Sequence, residues 1–427
     1  MYLLIERSCK MVTYTWDRFL FLERNKKWSM FCCSMEFKVL HKDGKARTGI
    51  VKTKHGSFHT PAFTPVGTCA SVRGLDQQDL VGLDAEIILA NTYHLHLRPG
   101  DDVVKKFGGL HGFMSWSGPI ITDSGGFQAF SLGYGMEHGV GKIADNIFTG
   151  NGTAAKNEKW ATIDDKGVNF KNHLDGSMVR LNPRISMKIQ SNLGSDIIFA
   201  FDECTSPLSS KEYTARALER THKWALECLK YYDKKQALFG IVQGGYFKDL
   251  RLKSAKFIGK LPFDGFGIGG SLGKTKQDMV DILKWVMPLL PASKPKHLLG
   301  IGAVEDIFNC VEQGVDMFDC VAPTRWGRRG HLYIGPASGG KFANKFRINI
   351  RLSKYKLDKK PINKGCSCYV CKNYSRGYLR HLLMAKEITF HKLAAYHNEY
   401  FILHLMKEIR SSINEKKFKR LKKKWLG

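Results

Sequence analysis

The sequence predicts an α/β protein of about eight strand–helix units, enough to close a (β/α)8 barrel; a doubly wound open sheet is the other arrangement such units allow. Three observations carry this. Short apolar runs recur from about Thr60 to Thr324, without the in–out alternation of a half-solvated sheet, as strands buried on both faces do. Amphipathic helical stretches separate them. Polar or glycine-rich residues stand directly after the runs, where a parallel barrel builds its functional face.

The strand candidates are Ala85–Ala90, Pro119–Thr122, Asp196–Phe201, Ala237–Val242, Phe263–Ile268, His297–Ile301 and Asp316–Cys320. The helical stretches include Asn182–Leu193, Lys211–Tyr232, Lys274–Leu289 and Val304–Glu312. Asn182 followed by Pro183 is a cap with a first-turn proline, whose missing N–H costs nothing there. Leu132–Asp165 is rich in Gly, Asn and Lys and reads as a long surface insertion. After Gly330 come a Gly/Lys-rich loop, a cysteine cluster and helical stretches from about Ser375 to Lys424. The expected organisation is an N-terminal extension, 1–34, before a natural start at Met35, with a transit peptide as the alternative. A main domain over 35–427 would follow, with a cysteine-bearing subdomain at about 360–400 and a basic tail at 407–427.

The chain has 427 residues and a formal net charge of +28. A surplus of this size points to a polyanionic partner, above all nucleic acid. It is concentrated in the tail, where Lys422, Lys423 and Lys424 form a run. No apolar run reaches the ~18–20 residues of a membrane span. Eleven cysteines, mostly scattered singly, fit a reducing, cytoplasmic compartment better than a disulfide framework. Cys366, Cys368 and Cys371 alone have ligand-like spacing and read as three thiolates of a structural zinc. A fourth ligand is needed, and spacing leaves His381, His391, His397 and His404 open.

The strand ends carry the chemistry. Asp123-Ser124-Gly125-Gly126, Asp202-Glu203, Gln243-Gly244-Gly245, Gly269-Gly270, Gly302 and Asp319 would gather at one barrel face. Two carboxylates there permit two-step displacement at a sugar anomeric carbon. Glycine pairs let a planar ligand lie against bare backbone, and Gln243 with a further Asp can read a purine-like edge. Gly300-Ile301-Gly302-Ala303-Val304-Glu305-Asp306 opens a helix after a strand, a phosphate-binding geometry. Thr324-Arg325-Trp326-Gly327-Arg328-Arg329 sets three arginines around an indole, which suits phosphate contact and base stacking.

These motifs together resemble the tRNA-guanine transglycosylase (queuine tRNA-ribosyltransferase) family from about Met35 to Arg410. The resemblance rests on Asn91-Thr92-Tyr93-His94-Leu95, Thr122-Asp123-Ser124-Gly125-Gly126-Phe127-Gln128 and Ala200-Phe201-Asp202-Glu203-Cys204-Thr205. It rests also on Asp316-Met317-Phe318-Asp319-Cys320-Val321, on Pro323-Thr324-Arg325, and on the cysteines leading into Tyr374-Ser375-Arg376. It implies an irregular TIM barrel with a zinc-binding subdomain inserted near the C-terminus. It further implies exchange of guanine at the wobble position of GUN-anticodon tRNAs for a 7-deazaguanine, in queuosine modification. Carried over by residue, Asp319 would be the nucleophile and Asp123 the acid/base. Asp123, Ser124, Gly125, Gly126, Phe127, Asp202, Gln243 and Gly270 would bind the base, and Gly300–Asp306 with Thr324–Arg328 would touch tRNA.

The family pattern also selects His397, which precedes Asn398, as the fourth ligand of one zinc ion per chain. It calls for no organic cofactor, and the family commonly forms homodimers through surfaces near the zinc subdomain. One departure concerns the pocket. Ser271 stands where Leu is usual, and Gly273 where bacterial members carry Val, so a wider pocket admitting queuine as well as preQ1 is expected. A non-catalytic tRNA-binding partner subunit is the alternative reading, but the presence of both Asp123 and Asp319 argues against it.

Overall fold

The computed structural model describes residues 35–127 and 161–427. The expected extension 1–34 and the 132–160 part of the expected insertion lie outside the described residues.

Three antiparallel strands come first: β1 (Met35–Asp43), β2 (Ala46–Thr53) and β3 (Gly56–Thr60). The parallel sheet follows, with β4 (Ala62–Thr64), β5 (Val66–Gly67), β6 (Ile88–Ala90) and β7 (Ile120–Thr122). A separate antiparallel sheet, β8 (Ala161–Asp164), β9 (Gly167–Lys171) and β10 (Met178–Leu181), interrupts it. The parallel series resumes with β11 (Ile197–Phe199), β12 (Ala237–Val242), β13 (Gly265–Ile268), β14 (Lys296–Leu298) and β15 (Met317–Asp319). The hairpin β16 (His331–Tyr333) and β17 (Arg347–Asn349) comes last.

The parallel ladder runs β4-β15-β14-β13-β12-β11-β7-β6-β5. Since Pro65 alone separates β4 from β5, the two ends of the ladder meet and the sheet closes as a barrel rather than staying open. All seven strand candidates lie in it; the first strand, Ala62–Gly67, was not anticipated, because Pro65 splits it into two very short runs.

Barrel closure explains the missing alternation. Ile121, Ile197, Phe199, Phe239 and Ile241 form one apolar cluster, and Val51 and Phe58 of the N-terminal sheet join it. Ile120, Ile198, Leu238, Phe266 and Ile268 face the larger cluster shared with the helices. Neighbouring residues on a strand point to opposite faces, and here both are buried. The helices keep the expected places, as Pro183–Leu193, Lys211–Tyr231, Lys248–Lys260, Lys276–Val286 and Val304–Val311. Asn182 caps the first of them through Ile185 N–H, and Gly194 ends it in the left-handed conformation.

Buried ion pairs and hydrogen bonds fix the N-terminal face of the barrel. Arg47 grips Asp316 with two bonds of 2.8 and 2.6 Å. Asp196 accepts from His55 Nδ1 at 2.8 Å and from Ile120 N–H at 2.9 Å, with His111 Nε2 at 3.3 Å.

The described end of the expected insertion, Ala161–Asp164, is a strand paired with β9. The helical stretches expected to about Lys424 are present in the basic tail. Residues 388–414 form one long helix packed on β1, β2 and β4, and Phe418–Leu426 forms another. Phe418 and Trp425 are buried against Phe308, and Trp425 also meets Phe346 and Phe401. A further, separate core surrounds the cysteines, built from Leu332, Ile350, Val370, Leu379, Phe390 and Leu393 among others.

Candidate active site and metal centre

Because every strand of the barrel runs the same way, the residues that follow them collect at its C-terminal end. Asp123 follows β7. Its Oδ1 accepts the Thr92 N–H at 2.7 Å and its Oδ2 accepts from Asn91 Nδ2 at 2.5 Å. Asn91 caps the short helix Thr92–Leu97 with its own Oδ1, which turns Nδ2 toward Asp123. The Thr92 hydroxyl also donates to the Asp123 carbonyl. Asn91 and Thr92 follow the apolar run Ile87–Ala90, the same signal that marked the other strand ends, yet their support of Asp123 was missed.

Asp202, beyond β11, is held from two sides. Ser124 Oγ donates to its Oδ1 at 3.1 Å, and Gln243 Nε2, after β12, donates to its Oδ2 at 2.6 Å. Among the described residues, Gln243 Oε1 is buried without a hydrogen-bond partner. Gly270, after β13, adopts φ +77°, and a Cβ there would lie 1.9 Å from Gln243 Oε1. A Cβ on Gly126 would meet the Asp202 carbonyl at 2.4 Å. These glycines are required by close approach. Ser124, Gly125 and Gly126 are buried, and Phe127 is half-buried.

Arg251, on the helix after β12, braces this region and gave no sequence signal. It is fully buried and donates to the carbonyls of Gly245 (2.7 Å), Val242 (2.9 Å), Gly269 (3.1 Å) and Ser271 (2.6 Å). One guanidinium thus ties the loop bearing Gln243 to the loop bearing Gly270. Gly273 bears on the pocket-width expectation. Its φ is +94°, and a Cβ there would lie 2.3 Å from Asp278 Cβ, so the turn itself demands glycine. Its missing side chain points at Asp278, which caps the next helix with Thr275.

Asp319 ends β15. Its Oδ1 receives the Gly300 N–H at 2.9 Å and faces His297 Nε2 at 2.8 Å. In the Gly300–Asp306 segment, Gly300 and Ala303 keep some exposure, whereas Ile301, Gly302, Val304, Glu305 and Asp306 are buried. Lys276 pairs with Glu305 and, at 3.1 Å, with Asp306. Burial pushes Asp306 up to about 6, with Lys276 opposing it. Within this segment only Gly300 and Ala303 are therefore open to a ligand.

Residues 322–328 form a helix, with Thr324 and Gly327 buried and Arg325, Trp326 and Arg328 partly exposed. The Arg347 guanidinium lies 4.1 Å from the Trp326 ring centre, so one indole face is already stacked. Burial first, then the positive charges of Arg73, Arg325 and Arg329, hold the Arg328 guanidinium below its usual range. Arg73 is an addition that sequence spacing could not supply.

The cysteine cluster is assembled. Cys366, Cys368, Cys371 and His397 bring one ligand atom each to within 4.8 Å of the others. His397 Nδ1 is 3.5 Å from both Cys368 Sγ and Cys371 Sγ. Ligands on a tetrahedral ion at ordinary Zn–S and Zn–N lengths stand about 3.6 Å apart, so the set fits one ion. His397 Nε2 donates to the Tyr333 carbonyl at 2.8 Å, which leaves Nδ1 as the lone-pair nitrogen facing the thiols. His381, His391 and His404 do not join the group.

The family model for Queuine tRNA-ribosyltransferase matches residues 42–427. The chain is 60% identical over 400 residues to a Putative queuine tRNA-ribosyltransferase of Archaeoglobus fulgidus, covering 92% of this chain and 99% of that one. It is 44% identical over 395 residues to Queuine tRNA-ribosyltransferase of Fusobacterium nucleatum, covering 91% and 97%, and 45% identical over 383 residues to that of Bacillus subtilis, covering 89% and 92%. With the barrel, the carboxylates at its C-terminal end and the Cys3His group already in place, the chain belongs to the queuine tRNA-ribosyltransferase family of tRNA-modifying glycosyltransferases.

Proposed function

We propose that this chain exchanges guanine at the wobble position of tRNAs with GUN anticodons, those for Asp, Asn, His and Tyr, for preQ1 or queuine. The observation that carries the reading is the arrangement of strand ends. Asp123 and Asp319 stand at β7 and β15, with Asp202, Gln243 and Gly270 on the ends that lie between them in the ladder.

In the first half, an Asp319 oxygen bonds to ribose C1′ and the C1′–N9 bond of guanine breaks. The departing base keeps the electron pair and takes a proton from Asp123. In the second half the incoming base gives a proton to Asp123 and its nitrogen attacks C1′. The C1′–O bond then breaks and the electron pair returns to Asp319. Asn91 and Thr92 hold the Asp123 carboxyl in place for both proton transfers. Asp202 and the open Gln243 acceptor read the base edge, with Ser124–Phe127 and Gly270 shaping the slot. No organic cofactor enters this sequence.

Arg325 and Arg328, with Arg73 and Arg329 beside them, would take tRNA phosphates, joined by Gly300 and Ala303 of the Gly300–Asp306 segment. Cys366, Cys368, Cys371 and His397 would hold one structural Zn2+; four protein ligands close its sphere, so the ion supports fold, not chemistry. A second copy would dock near this subdomain, where Tyr369, Tyr378, Met384 and Ile388 are exposed. The setting would be the cytoplasm; no helix among the described residues is long and apolar enough to cross a membrane. Residues 1–34 would be an extension to a main domain over 35–427.

Exchange of labelled guanine into a GUN-anticodon tRNA, followed by a chase with preQ1 or queuine, tests the reading. Exchange in the wild type that is lost in Asp319→Asn supports it, and the chasing base identifies the incoming substrate. A wild type without exchange overturns it in favour of a tRNA-binding partner subunit.

A further inference from the structure

His297 lies on β14, paired in register with Gly267 and Met317 on the flanking strands. Its side chain is wholly buried, with the Phe199 ring edge-on at 5.4 Å between centroids. Among the described residues it makes one polar contact: Nε2 to Asp319 Oδ1, at 2.8 Å. Among the described residues, Nδ1 is buried with no hydrogen-bond partner. A carboxylate facing Nε2 and nothing facing Nδ1 define the tautomer, with the proton on Nε2 and the bare lone pair on Nδ1. The imidazole therefore donates to Oδ1, the oxygen that the Gly300 N–H also reaches at 2.9 Å. A polar ring buried with half its capacity unfilled is costly unless the filled half matters.

We propose that His297 is a positioning residue for the Asp319 nucleophile, fixing the carboxylate by clamping Oδ1 together with the Gly300 amide. This rests on the double-displacement reading above. Two donors on one oxygen, one from a rigid strand and one from backbone, set the torsion of the carboxylate toward C1′. They also stabilise the negative charge that returns to Asp319 when the C1′–O bond breaks. Loss of His297 should slow both halves of the exchange, the second through a longer-lived covalent adduct, without touching the tRNA or base contacts.

The test compares His297→Phe, which keeps a planar ring and removes the donor, with His297→Gln, whose amide can still donate. His297→Met serves as a second donorless variant should the Phe ring fail to pack. Each folded variant is assayed for guanine exchange at varied tRNA and varied base, and the denaturation-resistant enzyme–RNA adduct is followed after a guanine chase. Expected for the donorless variant is a fall in kcat of about 10- to 100-fold with both KM values within about twofold, a slower-decaying adduct, and substantial rescue by His297→Gln. A folded donorless variant with wild-type kcat, a loss confined to KM, or a Gln variant as impaired as the donorless one overturns the proposal. Failure of the parent reading is distinguishable, since the wild type would then show neither exchange nor adduct.

Discussion

The amide of Gln243 donates to the carboxylate of Asp202 across 2.6 Å, joining the ends of two adjacent barrel strands and leaving Gln243 Oε1 as a buried, unfilled acceptor. An unfilled buried acceptor costs about 1–3 kcal/mol, which a bound base with a donor at that point recovers. Gly270→Ala would drive a methyl group against this oxygen, at 1.9 Å. We expect KM for the base to rise about 10- to 100-fold with KM for tRNA unchanged, read by exchange kinetics at saturating tRNA.

Removing Arg251 should be felt as loss of stability and of base affinity together. Its guanidinium donates to four carbonyls in a fully buried setting. Arg251→Met is expected to cost about 3–5 kcal/mol in denaturant unfolding. Arg251→Lys should recover part of the stability and little of the base affinity, because a single ammonium cannot span both loops.

Acid should weaken the fold through His222. This ring stacks on Phe257 at 4.2 Å and contacts Ser254 Oγ at 3.4 Å, a hydroxyl that also accepts the Gln243 N–H. Burial lowers its pKa from 6.5 to about 4, with Glu219 opposing and Lys253 assisting. Between those values the unfolded chain binds the proton and the native chain does not, so stability falls as pH drops and is fully present above the unfolded value. The loss between pH 7 and pH 5 should be about 2 kcal/mol. Urea midpoints at the two pH values should differ less in His222→Phe than in the wild type.

Metal analysis of the purified protein should find about one zinc per chain, with the ion lost in His397→Ala. His397 lies on the helix Ile388–Asn414, which packs against the helix Ala322–Arg328. Removing the ion is therefore expected to lower the melting temperature and weaken tRNA binding, while the apo protein's barrel signal in far-UV circular dichroism persists.

Charge and packing in the C-terminal helix can be separated. Trp425→Ala should cost about 3–5 kcal/mol, as for other buried tryptophans. Replacing Lys419, Lys423 and Lys424 by Gln spares the core and the Lys422–Glu312 pair at 2.7 Å. If these lysines meet phosphate, the slope of log affinity for tRNA against log salt should flatten by about one to three units with no change in melting. An unchanged slope would assign the helix to packing alone.

Much of this was legible in sequence because it is local. Strand runs buried on both faces announce themselves as unbroken apolar stretches, as in Ala237–Val242. Helix starts carry their caps, as at Asn182-Pro183. Ala62–Gly67 was hidden because Pro65 splits it, and the packing of the C-terminal helix, though not the helix itself, because its many lysines mask the two buried aromatics, Phe418 and Trp425.

By itself the sequence determined the α/β class, the acidic and glycine-rich strand ends, the three thiols and the basic surplus, since each depends on neighbours along the chain. Tertiary structure alone decided the remainder. It placed Arg251 beneath two loops and His297 against Asp319. It also turned Glu305 and Asp306 inward onto Lys276. The physical reason is the same in each case. Hydrogen-bond and ligand geometry act over about 3 Å through space, whatever the separation in sequence, and only barrel closure brings such residues within that reach.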